Sequence, residues 1–121
     1  DYYQTANNHN EPLLIGGDLP IEKTYSFEPI PEGTPAEAGK HILGVQANLW
    51  SEYIVSKPLA EYQVLPRMGA LSEVQWMQPA QKDFKDFVKR VECLRAIYEL
   101  KGYTYAKHLW PEEHLKGSRE L

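Results

Sequence analysis

The residues best suited to chemistry stand close together. Trp50 and Glu52 are separated by one residue at the end of an apolar run, His41-Ile42-Leu43-Gly44-Val45-Gln46-Ala47-Asn48-Leu49-Trp50. An indole carries one N–H donor on a large flat apolar body, worth roughly 150–250 Å² when covered. Such a face stacks on the C–H face of a pyranose ring. An ionised carboxylate two positions on accepts strong, directional hydrogen bonds from hydroxyls. Each residue also has a plainer reading, Trp50 as a core residue at a strand terminus and Glu52 as a solvated loop charge. A sharper reading makes Glu52 an acid or nucleophile. Acid and nucleophile work by a carboxyl ordinarily takes a second one about 5–10 Å away, and nothing in the sequence obviously pairs with Glu52.

The other reactive types read as structural. His9, His41, His108 and His114 show no HExxH spacing, and His108 to His114 with Glu112 and Glu113 reads as a solvated tail rather than a metal site. We therefore expect no metal and no cofactor. Cys93 is the single cysteine, which excludes an internal disulfide, and its helical setting reads as a small buried hydrophobe. Glu73 and Arg67 read as structural, Glu73 through a hydrogen bond or ion pair within a hydrophobic helix. Gly16-Gly17-Asp18 lacks the Lys-Ser/Thr of a phosphate loop, and no N-x-[ST] sequon is present.

Positioning falls to a β–α–β–α order. The run from His41 to Trp50 is nearly continuous in apolar residues and predicts a strand covered on both faces, as in parallel sheets. Before it, residues 4–40 are rich in turns, with one short helix at Ile21–Tyr25 behind Pro20. After it, Leu59, Tyr62, Leu65, Met68, Leu71 and Val74 predict a helical region over 58–76, interrupted at Pro66. Gly69 and Ala70 allow close packing there. A second helix over 81–101 carries the stripe Phe84, Phe87, Val88, Val91, Leu94, Ile97 and Tyr98, with Asp86 and Arg90 able to pair and Gly102 as the stop. Tyr103-Thr104-Tyr105 reads as a short extended segment. Two parallel strands cannot satisfy their own edges, and Asp1-Tyr2-Tyr3-Gln4 opens without the usual polar lead-in. Both features predict a piece of something larger.

Composition narrows the classes further. The chain has 121 residues, 42% hydrophobic and 25% charged, with a formal net charge of −4. That composition is globular. A mildly acidic chain has no general attraction to phosphate backbones, so nucleic acid is not expected as a partner. No apolar run reaches the roughly 18–20 residues that cross a bilayer.

Two motifs together resemble a known family. Gly44-Val45-Gln46-Ala47-Asn48-Leu49-Trp50-Ser51-Glu52, followed by Leu65-Pro66-Arg67-Met68-Gly69-Ala70-Leu71-Ser72-Glu73-Val74-Gln75-Trp76, looks like the C-terminal part of glycoside hydrolase family 20, the β-N-acetylhexosaminidases. Leu19–Pro29 resembles the loop and helix after the family's seventh barrel strand, and Asp83-Phe84-Lys85-Asp86-Phe87 its trailing helix. The resemblance covers about residues 1–105. The tail, 106–121, lies beyond it, and from His108 onward it matches nothing in the family. The resemblance implies an α/β fold, the C-terminal quarter of a (β/α)8 barrel: the end of strand seven, helix seven, strand eight, helix eight and the trailing helix. Active sites of such barrels lie at the C-terminal ends of the strands.

The resemblance also assigns roles. It implies that Trp50 lines the N-acetylhexosamine subsite, that Glu52 holds sugar hydroxyls, and that Asp1 matches the strand-seven Asp that also binds them. The family's mechanism is substrate-assisted, with an adjacent Asp-Glu pair as the protein's contribution. No Asp-Glu dipeptide occurs in this chain, so no catalytic residue is assigned and the chain alone is expected to be inactive. The parent would remove terminal β-linked N-acetylglucosamine or N-acetylgalactosamine from glycans outside the cytoplasm, with the rest of its own catalytic domain as partner. An excised piece would expose apolar faces and self-associate. The rival reading is a non-catalytic carbohydrate-binding or helical packing module.

Overall fold

A computed structural model of the protein describes residues 11–12 and 17–110. Asp1, the expected end of strand seven, and the segment from 111 onward lie outside the described residues. Among the described residues five α-helices follow in order: α1 (Ile21–Tyr25), α2 (Ala36–Gly39), α3 (Lys57–Val64), α4 (Arg67–Trp76) and α5 (Phe84–Lys101), with a 3-10 turn at Pro79–Gln81 before α5.

Local chemistry accounts for the helix ends. Pro20 stands at the start of α1, where its missing N–H costs nothing. The Ser56 side chain accepts from Leu59 N at 3.3 Å and starts α3, with Pro58 in the first turn. Asp83 caps α5 by accepting from Asp86 N at 3.1 Å. Gly102 closes it at φ 67°, a left-handed backbone that glycine adopts without a Cβ clash. Leu65 and Pro66 separate α3 from α4, where the sequence predicts the interruption.

The main core forms where α1, α4 and α5 meet. Ile21 and Tyr25 of α1, Ala70 of α4, and Phe87 and Val91 of α5 are buried together. Small residues make this approach possible. Ala70 is fully buried, and a Cβ added at Gly69 would stand 3.1 Å from Leu94 Cδ1. The Tyr25 ring lies 4.8 Å from Phe87 and 5.6 Å, edge-on, from Phe84, and its hydroxyl accepts from Asp83 N at 3.0 Å. One residue thus packs the core and steadies the start of α5.

Two smaller clusters bring in the segment after α5. Ala106 is buried with Leu59 and Tyr62, and its N–H donates to Leu65 O at 2.9 Å. Tyr105 is buried with Leu65 and Tyr98, and the Trp110 ring meets Tyr105 edge-on at 5.8 Å. Charged pairs close the outside. Arg90 reaches both carboxylate oxygens of Glu73 at 2.7 Å and also pairs with Asp86, as the i,i+4 spacing predicts. Lys82 donates to Phe27 O at 2.7 Å and Glu28 at 2.6 Å.

Three expectations need correction. The run 41–50 is not a strand; among the described residues none is in β-structure. A strand exists by its ladder, and no described segment pairs alongside this run. Its residues are mostly exposed rather than covered on both faces. Cys93 is exposed and free, not buried. Ile97 is also exposed, because it lies about 100° around the helix from Tyr98, beyond the face that the core covers.

Two outcomes test this packing. Phe87→Ala is expected to cost about 3–5 kcal/mol, read by urea denaturation followed by circular dichroism. Burial and the hydrogen bond to Glu99 push the Tyr105 hydroxyl up to about 12 from 10.0. The folded chain therefore keeps a proton that the unfolded chain releases. That contribution to stability is whole below the unfolded value and is lost as pH rises through the folded one. Melting temperature should fall more steeply across this window in the parent than in Tyr105→Phe, and equal slopes would refute the assignment.

Candidate functional site

Trp50 and Glu52 lie on the irregular connection between α2 and α3. This stretch is fixed at few points. Gln75 Nε2 of α4 donates to Val45 O at 2.9 Å, Gln46 donates to Asn48 at 3.4 Å, and Ile54 N donates to Ser51 O at 3.1 Å. Leu49 faces a hollow of about 330 Å³ that Ala60, Val64, Leu65, Met68 and Tyr103 also line. Its neighbour Trp50 turns out and is 72% exposed. Glu52 is exposed as well. No hydrogen bond or ion pair among the described residues holds the Trp50 or Glu52 side chain. An indole face and a carboxylate are therefore both open to an approaching ligand, on one connection and one residue apart.

The helix that follows this connection is braced at both ends. Lys57 pairs with Glu61 at 3.0 Å, and Glu61 accepts from Thr104 N at 2.9 Å. The hydrogen bond from the Thr104 backbone, and next the one from Lys57, hold the Glu61 carboxyl below its usual range. The Lys57 ammonium lies 5.8 Å from the Tyr103 ring centroid. On α3, the Tyr62 hydroxyl donates to Glu11 Oε2 at 2.6 Å, and His108 Nε2 lies 2.6 Å from Glu11 Oε1. The Glu11 side chain is 1% exposed. Arg67, at the start of α4, is buried and donates to Leu19 O, and its burial pushes the guanidinium below its usual value.

A second, wider groove of about 720 Å³ runs between the stretch after α1, residues 42–45 and the end of α4. Ile30, Leu43 and Trp76 leave much of their apolar surface open there.

The structure thus brings two of the three sequence-predicted binding residues, Trp50 and Glu52, onto one exposed connection. Asp1 lies outside the described residues. Glu73 pairs with Arg90, and Arg67, beside Pro66, is buried and donates to Leu19 O, contacts in keeping with the structural reading of both. His108 is not in a solvated tail; it sits against a buried carboxylate. Sequence patterning places Tyr62 on the apolar face of its helix and gives no sign of its contact with Glu11, or of that between Glu11 and His108. These contacts span 51 and 97 residues, so no local spacing betrays them. Among the described residues no three His, Cys, Asp or Glu side chains are grouped to hold a metal ion.

Comparison with known proteins identifies the motifs. Residues 1–79 match the family described as glycosyl hydrolase family 20, catalytic domain. Over all 121 residues the chain is 38% identical to a beta-hexosaminidase of Porphyromonas gingivalis, of which it covers 15%. Over 108 residues, 87% of the chain, it is 30% identical to a beta-N-acetylhexosaminidase of Cellulomonas fimi and covers 21% of it. A beta-hexosaminidase of Vibrio furnissii is 37% identical over 59 residues, 46% of this chain and 9% of that protein. The chain therefore spans about a fifth or less of the length of these relatives. The similarity to the first of them runs through residues 106–121 as well.

Proposed function

The chain belongs to glycosyl hydrolase family 20, and on that premise we propose that it is the C-terminal part of the catalytic barrel of an exo-acting β-N-acetylhexosaminidase. The family's catalytic domain implies a (β/α)8 barrel. In this reading α1 lies in the helical layer after strand seven, residues 41–50 form strand eight once neighbouring strands are present, and α3 with α4 makes helix eight. Helix α5 trails behind and braces the wall.

The observation that carries the reading is the paired exposure of Trp50 and Glu52 just past the run that would be strand eight. In such barrels that position is the mouth. The Trp50 indole stacks on the apolar face of an N-acetylhexosamine. Glu52 and Asp1 accept hydrogen bonds from its hydroxyls. Catalysis in the whole protein is substrate-assisted: the acetamido oxygen of the sugar attacks its own anomeric carbon, with an Asp-Glu pair to orient it and protonate the leaving group. That dipeptide is absent from these 121 residues, so the chain supplies binding residues and is inactive alone. Terminal β-linked N-acetylglucosamine or N-acetylgalactosamine on glycans outside the cytoplasm is the substrate class. Among the described residues no helix is long and apolar enough to cross a membrane. The open apolar surface at Leu43 and Trp76 favours self-association of the isolated chain.

Trp50→Ala in the full-length protein should lower kcat/KM for a chromogenic N-acetylglucosaminide by about tenfold to a hundredfold, the scale of losing a stacked aromatic anchor. Glu52→Gln should weaken binding of the same substrate. Unchanged turnover in Trp50→Ala would remove the indole from the site.

A further inference from the structure

Glu52 shares a tight turn with a second polar side chain. Ile54 N donates to Ser51 O at 3.1 Å, which closes a four-residue turn with Glu52 and Tyr53 as its two central residues. The turn is held from behind. Ile54 is half-buried, and two positions on Ser56 caps α3, the helix that the Lys57–Glu61 pair and Thr104 brace. Tyr53 itself is 40% exposed, and among the described residues no hydrogen bond or ion pair engages its hydroxyl. Its donor is not spent within the described structure.

The two neighbours complement each other chemically. An ionised carboxylate only accepts, whereas a phenol donates and accepts. A sugar hydroxyl that donates to Glu52 still has lone pairs to offer, and a phenol one residue along supplies the donor. Consecutive Cα atoms stand about 3.8 Å apart, so the two side chains start from neighbouring points on one turn.

We infer that Tyr53 is a specificity-determining residue of the sugar site: it donates to the hydroxyl from which Glu52 accepts, and so reads the direction of that hydroxyl. The inference rests on the hexosaminidase reading above and deepens it. N-acetylglucosamine and N-acetylgalactosamine differ only in the direction of one ring hydroxyl. A carboxylate alone has two oxygens and several lone-pair sites, and takes the hydroxyl in either direction. A second partner on a fixed turn favours one, because a hydrogen bond weakens steeply once its angle is lost.

The test uses the full-length protein and two chromogenic substrates, the β-N-acetylglucosaminide and the β-N-acetylgalactosaminide. Tyr53→Phe keeps the ring and removes only the hydroxyl, at an exposed position where the fold does not depend on it. It is expected to change the ratio of the two kcat/KM values by about threefold to tenfold, the scale of one neutral hydrogen bond, by lowering the better substrate more than the poorer. Competitive inhibition by free N-acetylglucosamine and N-acetylgalactosamine should shift in the same sense, which reads binding apart from turnover. A merely structural role would lower both substrates alike. A ratio unmoved in Tyr53→Phe, whether both values hold or both fall together, overturns the inference and leaves the hexosaminidase reading standing. A parent inactive on both substrates overturns that reading and this inference with it.

Discussion

The close approach of α4 to its neighbours at Gly69 and Ala70 is the constraint on which the described structure depends. A methyl group more at position 69 would press on Leu94, and Ala70 has no surface left to water. Close-packed interiors register even one extra methylene. With two small residues at the crossing, α1 and α5 come near enough for Tyr25 to lie against Phe87 while its hydroxyl meets Asp83. Larger residues would separate the helices and leave that hydroxyl short of its donor. Packing of the α1–α4–α5 core and the start of α5 therefore stand or fall together.

Polar ties then divide the molecule into a held part and an open part. Arg90 and Glu73 join α5 to α4, Lys82 holds the turn after α1, and Glu61 joins α3 to Thr104. Most of these charges are at least partly exposed, where single pairs contribute at most about 1 kcal/mol, so they orient surfaces already packed. Among the described residues, the Gln75 side chain and Leu49 help to seat the connection from α2 to α3, which is otherwise mostly exposed. The residues proposed to bind the ligand sit on that open part, and this fits a site whose loops are placed by a firmer scaffold.

Helices were legible wherever a local signal was strong. The spacing of Leu59, Tyr62, Leu65 and Val74, the break at Pro66, the stop at Gly102 and the Asp86–Arg90 pair all act within a turn or two, and the structure shows each of them. The run from His41 to Trp50 reads as a strand from its apolar content alone, but that content reports what a segment needs, while a strand also requires a partner for its backbone. The motif pairs Trp50 with Glu52, and the structure leaves both exposed. The contacts of Glu11 are not legible, because Tyr62 and His108 lie far along the chain. Cys93 and Ile97 show a smaller limit, that a periodic stripe gives the centre of a buried face more reliably than its edges.

Leu49 lines the hollow beside Met68 yet stays 46% exposed, and Trp50 beside it is 72% exposed. Little buried surface is therefore lost if this connection changes length. Insertions and deletions between α2 and α3 should be borne far better than any at Gly69 and Ala70, where the helices leave no spare room.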